Sequence, residues 1–263
     1  MIATLALLLG LSPTLQATEP ALTAPEMFHA LRLAGEDDPR AALAEAQRQL
    51  TTAQDAATRF WLLVAIARMH VAMEDQKASQ EAFALAESVL ASVPKAGAHM
   101  ALWLQMESTP VAYDSVDPRQ FGPRMTQLHT KVSQIGDPIL SCSTTGWELW
   151  GLVSTHNYDE AWFVAEELER CAHSTGLRYL EAMALGGMGL IKATTTPPSA
   201  VAQEVLKFYD RALAALDGGS ARWRRSSIEW VMGNALRRLK QFGPALEHLQ
   251  RSVERSMTGV ALA

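Results

Sequence analysis

Seven histidines, two cysteines and a cluster of acidic residues are the side chains here best suited to chemistry, and their spacing limits what they can do. His29, His70, His99, His129, His156, His173 and His248 are scattered along the chain. No pair forms His-Glu-x-x-His, which would set two zinc ligands and a general base on one helix face. No Gly-x-Ser-x-Gly elbow presents a nucleophile, and no Walker-type loop cradles phosphate. Gly186, Gly187 and Gly189 look like a Gly-rich loop, but they fall inside a helical apolar pattern, where close helix packing explains them. Asp159, Glu160, Glu166, Glu167 and Glu169 read as a solvated helix face, because no apolar pocket is implied that would raise a carboxyl pKa. The residues therefore predict no catalytic constellation, no metal site and no cofactor, and so a binding protein rather than an enzyme.

The elements that carry these residues follow from composition and periodicity. Hydrophobic residues make up 48% of the chain and charged ones 19%, which supplies a core and argues against disorder. The formal net charge of -5 lacks the basic footprint of a general nucleic-acid binder. Ala and Leu dominate and β-branched residues are sparse, which favours helix.

Residues 2–11 form an apolar run followed by Ser12 and Pro13. The run is too short for a membrane span of ~20 residues and has the form of a secretory signal core. Cleavage is expected after Ala17, although no Lys or Arg precedes the run and Leu15 is bulky where a small residue is preferred. An N-terminal core helix is the other reading. The expected organisation is a signal peptide over 1–17, a linker over 18–23, one helical repeat domain over 24–257, and the start of a further repeat helix over 258–263. The expected location is the periplasm or the extracellular space. No later segment reads as a membrane span.

The clearest repeat is MGNALRRLKQFGPALEHLQRSVE, from Met232 to Glu254. Met232, Leu236 and Leu239 recur at helical spacing, a break follows, and Ala245, Leu246, Leu249 and Val253 mark a second helix. Gly233 and Ala245 are small enough for the two helices to approach closely. HNYDEA (156–161), LGGMGL (185–190) and FYDRAL (208–213) repeat parts of this grammar upstream, as do Leu63, Ile66, Ala67 and His70, then Phe83 and Ala86. With Gly233, Phe242 and Ala245 as small, turn-aromatic and Ala positions, the pattern resembles the tetratricopeptide repeat family. Gly189 and Gly233 lie 44 residues apart, beyond the roughly 34 of the standard repeat. TTTPPS (194–199) is thus expected to be an extended turn.

The expected fold is all-α: a superhelical solenoid of about six stacked antiparallel hairpins over 24–54, 56–92, 96–136, 143–174, 177–216 and 221–256. Pro110, Pro118 and Pro123 predict a long irregular loop in the third. In the fourth, Cys142 precedes the first helix and Cys171 lies near the end of the second, 15 and 14 residues from the turn centre Asn157. That brings them side by side, as a disulfide in an oxidising compartment or as two buried thiols.

The resemblance implies a concave groove lined by the first helix of each hairpin. On that pattern Trp61, Val64 and Arg68 in the second unit, and Trp230, Asn234, Arg237 and Arg238 in the last, lie on or near the inner face. Asn and Arg there resemble residues with which some family members hold a peptide carboxylate. Guanidinium forks match carboxylates, and an amide orients a peptide backbone. Arg222, Arg224 and Arg225, with Arg237 and Arg238, form the one concentration of positive charge, read as a solvated face or a rim of that groove. His70, Trp103, Trp147, Trp150, Trp162 and Trp223 read as core.

The function expected from these features is a non-catalytic scaffold holding a protein or peptide. The array also resembles the extracytoplasmic sensory region of bacterial signalling proteins that carry a diguanylate cyclase or histidine kinase domain. A cell-envelope assembly or accessory protein, or a cytoplasmic regulator with reduced cysteines, are the alternatives.

Overall fold

Aspartates start four of the helices. The computed structural model describes residues 24–93, 97–113, 118–216 and 222–260. Within them every regular element is helical: α1 (Glu26–Asp37), α2 (Pro39–Thr52), α3 (Ala56–Ala72), α4 (Gln76–Leu90), α5 (Gly97–Tyr113), α6 (Pro118–Ser133), α7 (Pro138–Ser154), α8 (Tyr158–Thr175), α9 (Arg178–Thr195), α10 (Pro198–Ala215), α11 (Arg222–Arg238) and α12 (Phe242–Val260). Asp38, Asp55, Asp75 and Asp137 accept from the otherwise orphaned N–H groups of α2, α3, α4 and α7. Each such cap stabilises by about 1 kcal/mol.

Three of the hairpins share one turn. Glu74, His156 and Lys240 take left-handed backbone conformations, with φ of 60°, 64° and 60°. The next N–H in each case reaches back five residues: Asp75 to the His70 carbonyl, Asn157 to Leu152 and Gln241 to Leu236, all at 2.9 Å. This closure satisfies carbonyls that the helix end leaves open. The turn expected around Asn157 is thus a device repeated within three hairpins, and Gly176 (φ 69°) with the Leu177 N–H on the Ala172 carbonyl at 2.9 Å uses it again between α8 and α9.

The helices pack in two layers. The odd-numbered helices neighbour one another in chain order, and α2, α4, α6, α8 and α10 each pack against the two odd helices that flank them in sequence. α1 also packs against α11, so the inner layer returns on itself. The apolar core falls into two clusters, one built on the first three hairpins and one on the last three, with Ile139 packed against both. Small residues set the closest approaches. A Cβ on Gly189 would stand 2.9 Å from the Tyr209 ring, and one on Gly233 would stand 2.6 Å from Leu249. The glycines 186, 187 and 189 lie inside α9, as packing glycines.

Four boundaries differ from the sequence expectation. α7 begins at Pro138, capped by Asp137, so Cys142 lies inside the helix. TTTPPS is a short turn, because Pro198 starts α10 at its first position, where its missing N–H costs nothing. Pro110, Pro118 and Pro123 all fall within helices, and only 114–117 separate α5 from α6. Pro123 is tolerated beside the tight meeting of Gly122 with Gly151, where α6 packs on α7. Thr258 to Val260 continue α12 rather than opening a new helix. The signal and linker expected over 1–23 lie outside the described residues. Among the described residues no helix is long and apolar enough to cross a membrane.

Candidate functional site

The inner helices carry a chain of charges through the middle of the fold. Arg32 on α1 donates from Nε to Glu107 Oε1 on α5 at 2.8 Å, and from Nη2 to Ser143 Oγ on α7 at 3.0 Å. Its guanidinium lies over the rings of Trp103 and Tyr179, 5.6 Å and 5.4 Å from their centroids. Arg68 on α3 donates from Nη1 to Glu107 Oε2 at 2.7 Å and from Nη2 to Glu36. Two cations and two anions thus alternate as Glu36–Arg68–Glu107–Arg32, and five of the inner helices contribute to them or their contacts. Burial opposes the charge on Glu107, but Arg68 and Arg32 outweigh it and hold the carboxyl below its usual range. Burial likewise opposes the Arg68 charge, and Glu107 and Glu36 overcome it, pushing its pKa up. Both oxygens of Glu107 already accept from guanidinium groups, so this cluster locks helices together instead of presenting a reactive group.

A second buried cluster lies at the N-terminal ends of the inner helices. Asp137 Oδ1 accepts from the N–H groups of Ile139 and Leu140, each at 3.0 Å. Oδ2 accepts from Trp103 Nε1 at 2.9 Å and lies 2.8 Å from His99 Nε2. Burial works against this carboxylate, yet the bonds from His99, Leu140 and Trp103 hold its pKa below the ordinary value. The His29 ring lies 5.7 Å from that of Trp103, and its pKa is lowered by burial and by Arg32.

Histidine–carboxylate pairs also join the layers. His129 on α6 meets Glu148 on α7, which also accepts from Thr126 Oγ1 at 2.8 Å. His248 on α12 meets Glu229 on α11.

The residues expected to line a groove separate into two sets. Trp61 is buried, its ring 5.0 Å from Phe28 and 6.2 Å from Trp103. Val64 is fully buried, and Arg68 is held in the ion chain. These three are turned to the interior, Trp61 against Phe28 and Trp103, and Arg68 against Glu36 and Glu107. Trp230 is 53% exposed, and Arg237 and Arg238 are exposed. The half-exposed Asn234 donates one N–H from Nδ2 to the Trp230 carbonyl of its own helix at 3.0 Å. The side chains of Arg222, Trp223 and Arg224 lie outside the described residues, and Arg225 bonds the Leu213 carbonyl.

The outward stripe of α11 is therefore where the expected binding residues remain available. It can offer an indole surface and two guanidinium groups, the chemistry of a contact with an aromatic or carboxylate-bearing ligand. Beside it, α12 exposes Phe242, Leu246 and Val253, at 66%, 57% and 56%.

Cys142 and Cys171 form a disulfide joining α7 to α8, with Cα atoms 5.7 Å apart. Arg32, Glu36, Glu107, Asp137 and His99 were not singled out by sequence reasoning as a group. The signal that could have found two of them is charge inside an apolar face: Arg32 stands four residues after Phe28, and Glu107 stands four after Trp103 and three after Leu104. No family model matches the chain, and no curated protein matches it in sequence.

Proposed function

We propose that this chain is a non-catalytic scaffold that binds a protein or peptide on the outside of its last hairpin. The observation that carries this reading is the outward stripe of α11, where Trp230 is half-exposed and Arg237 and Arg238 point to solvent. Exposed Trp and Arg are the residues on which interface energy most often concentrates. The interior charges are consumed in mutual pairing, so recognition falls to the surface. The repeated turn and small-residue packing support kinship in form with tetratricopeptide superhelices, here wound tightly enough for α1 to reach α11.

The disulfide between α7 and α8 favours an oxidising compartment, in keeping with export to the periplasm or beyond. In that setting the scaffold would serve as the input region of a signalling protein.

The test is an array of random peptides probed with the folded chain, with Trp230→Ala and with Arg237→Glu. Saturable binding that drops at least tenfold in both variants supports the reading. Binding indifferent to both substitutions, or absent throughout, would overturn it.

A further inference from the structure

Phe242, Leu246 and Val253 recur at i, i+4 and i+11 along α12, a stripe on one helix face. Leu249 completes the spacing between them and is the half-buried residue that packs over Gly233. The stripe therefore starts at the α11 contact and turns outward from it. Single exposed apolar residues are ordinary, but three on one face beside a packed one are a surface built for contact.

Its place in the repeat says what kind of contact. α8 and α12 open alike, with an aromatic, an alanine three residues on and a large apolar residue next: Tyr158, Ala161 and Trp162 against Phe242, Ala245 and Leu246. In α8 that last position meets the following hairpin. Trp162 packs edge-on against Phe208 of α10 at 6.0 Å, and Lys192 of α9 lies 5.3 Å over its ring. Among the described residues every other even-numbered helix packs against a second odd-numbered helix, whereas the extensive packing of α12 is against α11. Leu246 thus occupies the position that in α8 is covered by the following hairpin.

Charge sets the rest. Arg237, Arg238 and Lys240 are exposed at the α11–α12 turn, immediately before Phe242. Among the described residues no carboxylate pairs with them. An occupant whose apolar face lies along α12 would carry acidic residues to this end.

We infer that α12 and the turn before it seat an amphipathic helix of a partner protein, its apolar face on Phe242, Leu246 and Val253 and its carboxylates on Arg237, Arg238 and Lys240. This rests on the scaffold reading and specifies its partner. Docking of this kind takes an apolar helix face into an apolar surface and uses flanking charge for orientation.

The probe is a designed helical peptide of about 20 residues, long enough to follow α12, with leucines on one face flanked by glutamates, and a twin flanked by lysines. Fluorescence anisotropy measures both against the full chain. The acidic peptide is expected to bind at least tenfold tighter than the basic one. Leu246→Glu with Val253→Glu should weaken it at least tenfold while circular dichroism and thermal midpoint stay unchanged. Arg237→Glu, Arg238→Glu and Lys240→Glu together should reverse the charge preference. Equal binding of the two peptides overturns the inference. So does a concentration-dependent dimer in light scattering that Leu246→Glu abolishes, which would make a second copy the occupant. Array binding lost in Trp230→Ala but untouched by Leu246→Glu sinks this seat and leaves the scaffold standing. Absence of any peptide binding sinks both.

Discussion

Arg32 on α1 and Glu107 on α5, separated by 75 positions in sequence, form a 2.8 Å ion pair in which both side chains are buried. The pair ties the first hairpin to the third, and Arg68 extends the tie to the second. Removing Glu107 leaves Arg32 buried without a carboxylate partner and Arg68 with Glu36 alone.

Glu107→Ala should therefore be among the most damaging single substitutions. It strands Arg32 and half of Arg68's partners, and breaking a buried pair in this way costs about 3–5 kcal/mol. Urea unfolding of the variant measures it. Glu107→Leu combined with Arg32→Met should cost less than Glu107→Ala alone, since it removes two opposite charges together. A Glu107→Ala loss below about 1 kcal/mol would show that the cluster is dispensable.

The disulfide closes a loop spanning a sequence separation of 29. On the chain-entropy account that stabilises by about 3–4 kcal/mol. Adding a strong reductant should lower the thermal midpoint by several degrees, and Cys142→Ser with Cys171→Ser should reproduce the loss. A midpoint insensitive to reductant contradicts the assignment.

His129 and Glu148 predict a stability maximum in weak acid. The bond to Glu148 raises the His129 pKa despite burial, so His129's contribution is complete below its unfolded value of about 6.5 and disappears as pH rises through the folded one. Burial opposes the Glu148 charge, but bonds from His129 and Thr126 lower its pKa. Its contribution is therefore present above about 4.3 and is lost as pH falls through the folded value. His29 acts in the opposite sense to His129: its lowered pKa costs stability as pH drops below about 6.5. Denaturant midpoints across pH 4 to 8 check this in ~0.5-unit steps, fine enough to resolve a titration one unit wide. His129→Gln should flatten the rise from neutral to weakly acidic pH, and His29→Gln should sharpen it.

Gly151→Ala should destabilise even though alanine is the better helix former. The added Cβ would stand 2.8 Å from Gly122 Cα, a backbone atom of α6 that cannot rotate away. Overpacking costs about 1–3 kcal/mol, against a propensity gain near 1 kcal/mol. Gly176→Ala is the contrasting control: no atom lies within 4 Å, and the cost there comes from its φ of +69°. A thermal scan in which Gly151→Ala gains stability would mean that α6 slides to accommodate it.

Local chemistry alone determined the helical class, the succession of hairpins and the juxtaposition of Cys142 with Cys171. Apolar periodicity, small residues such as Gly233 and Ala245, and the turn around Asn157 act within one hairpin, where a pattern in the chain is already a pattern in space. Even the prolines misread as loop signals, Pro118 and Pro198, belong to this level, for a helix admits proline at its first position. What only the tertiary structure decided was the inside and outside of the assembled array. Trp61 and Trp230 are the same residue type on inner helices, one buried and one exposed, because α1 closes over the first and nothing among the described residues covers the second. Arg68 and Arg237 likewise differ only in company: Glu36 and Glu107 come to one from 32 and 39 positions away, and no carboxylate reaches the other. Leu246 reads as core and stands exposed for the same physical reason. Burial is a property of the neighbours that long-range packing supplies, and no helical period encodes which neighbour will be there.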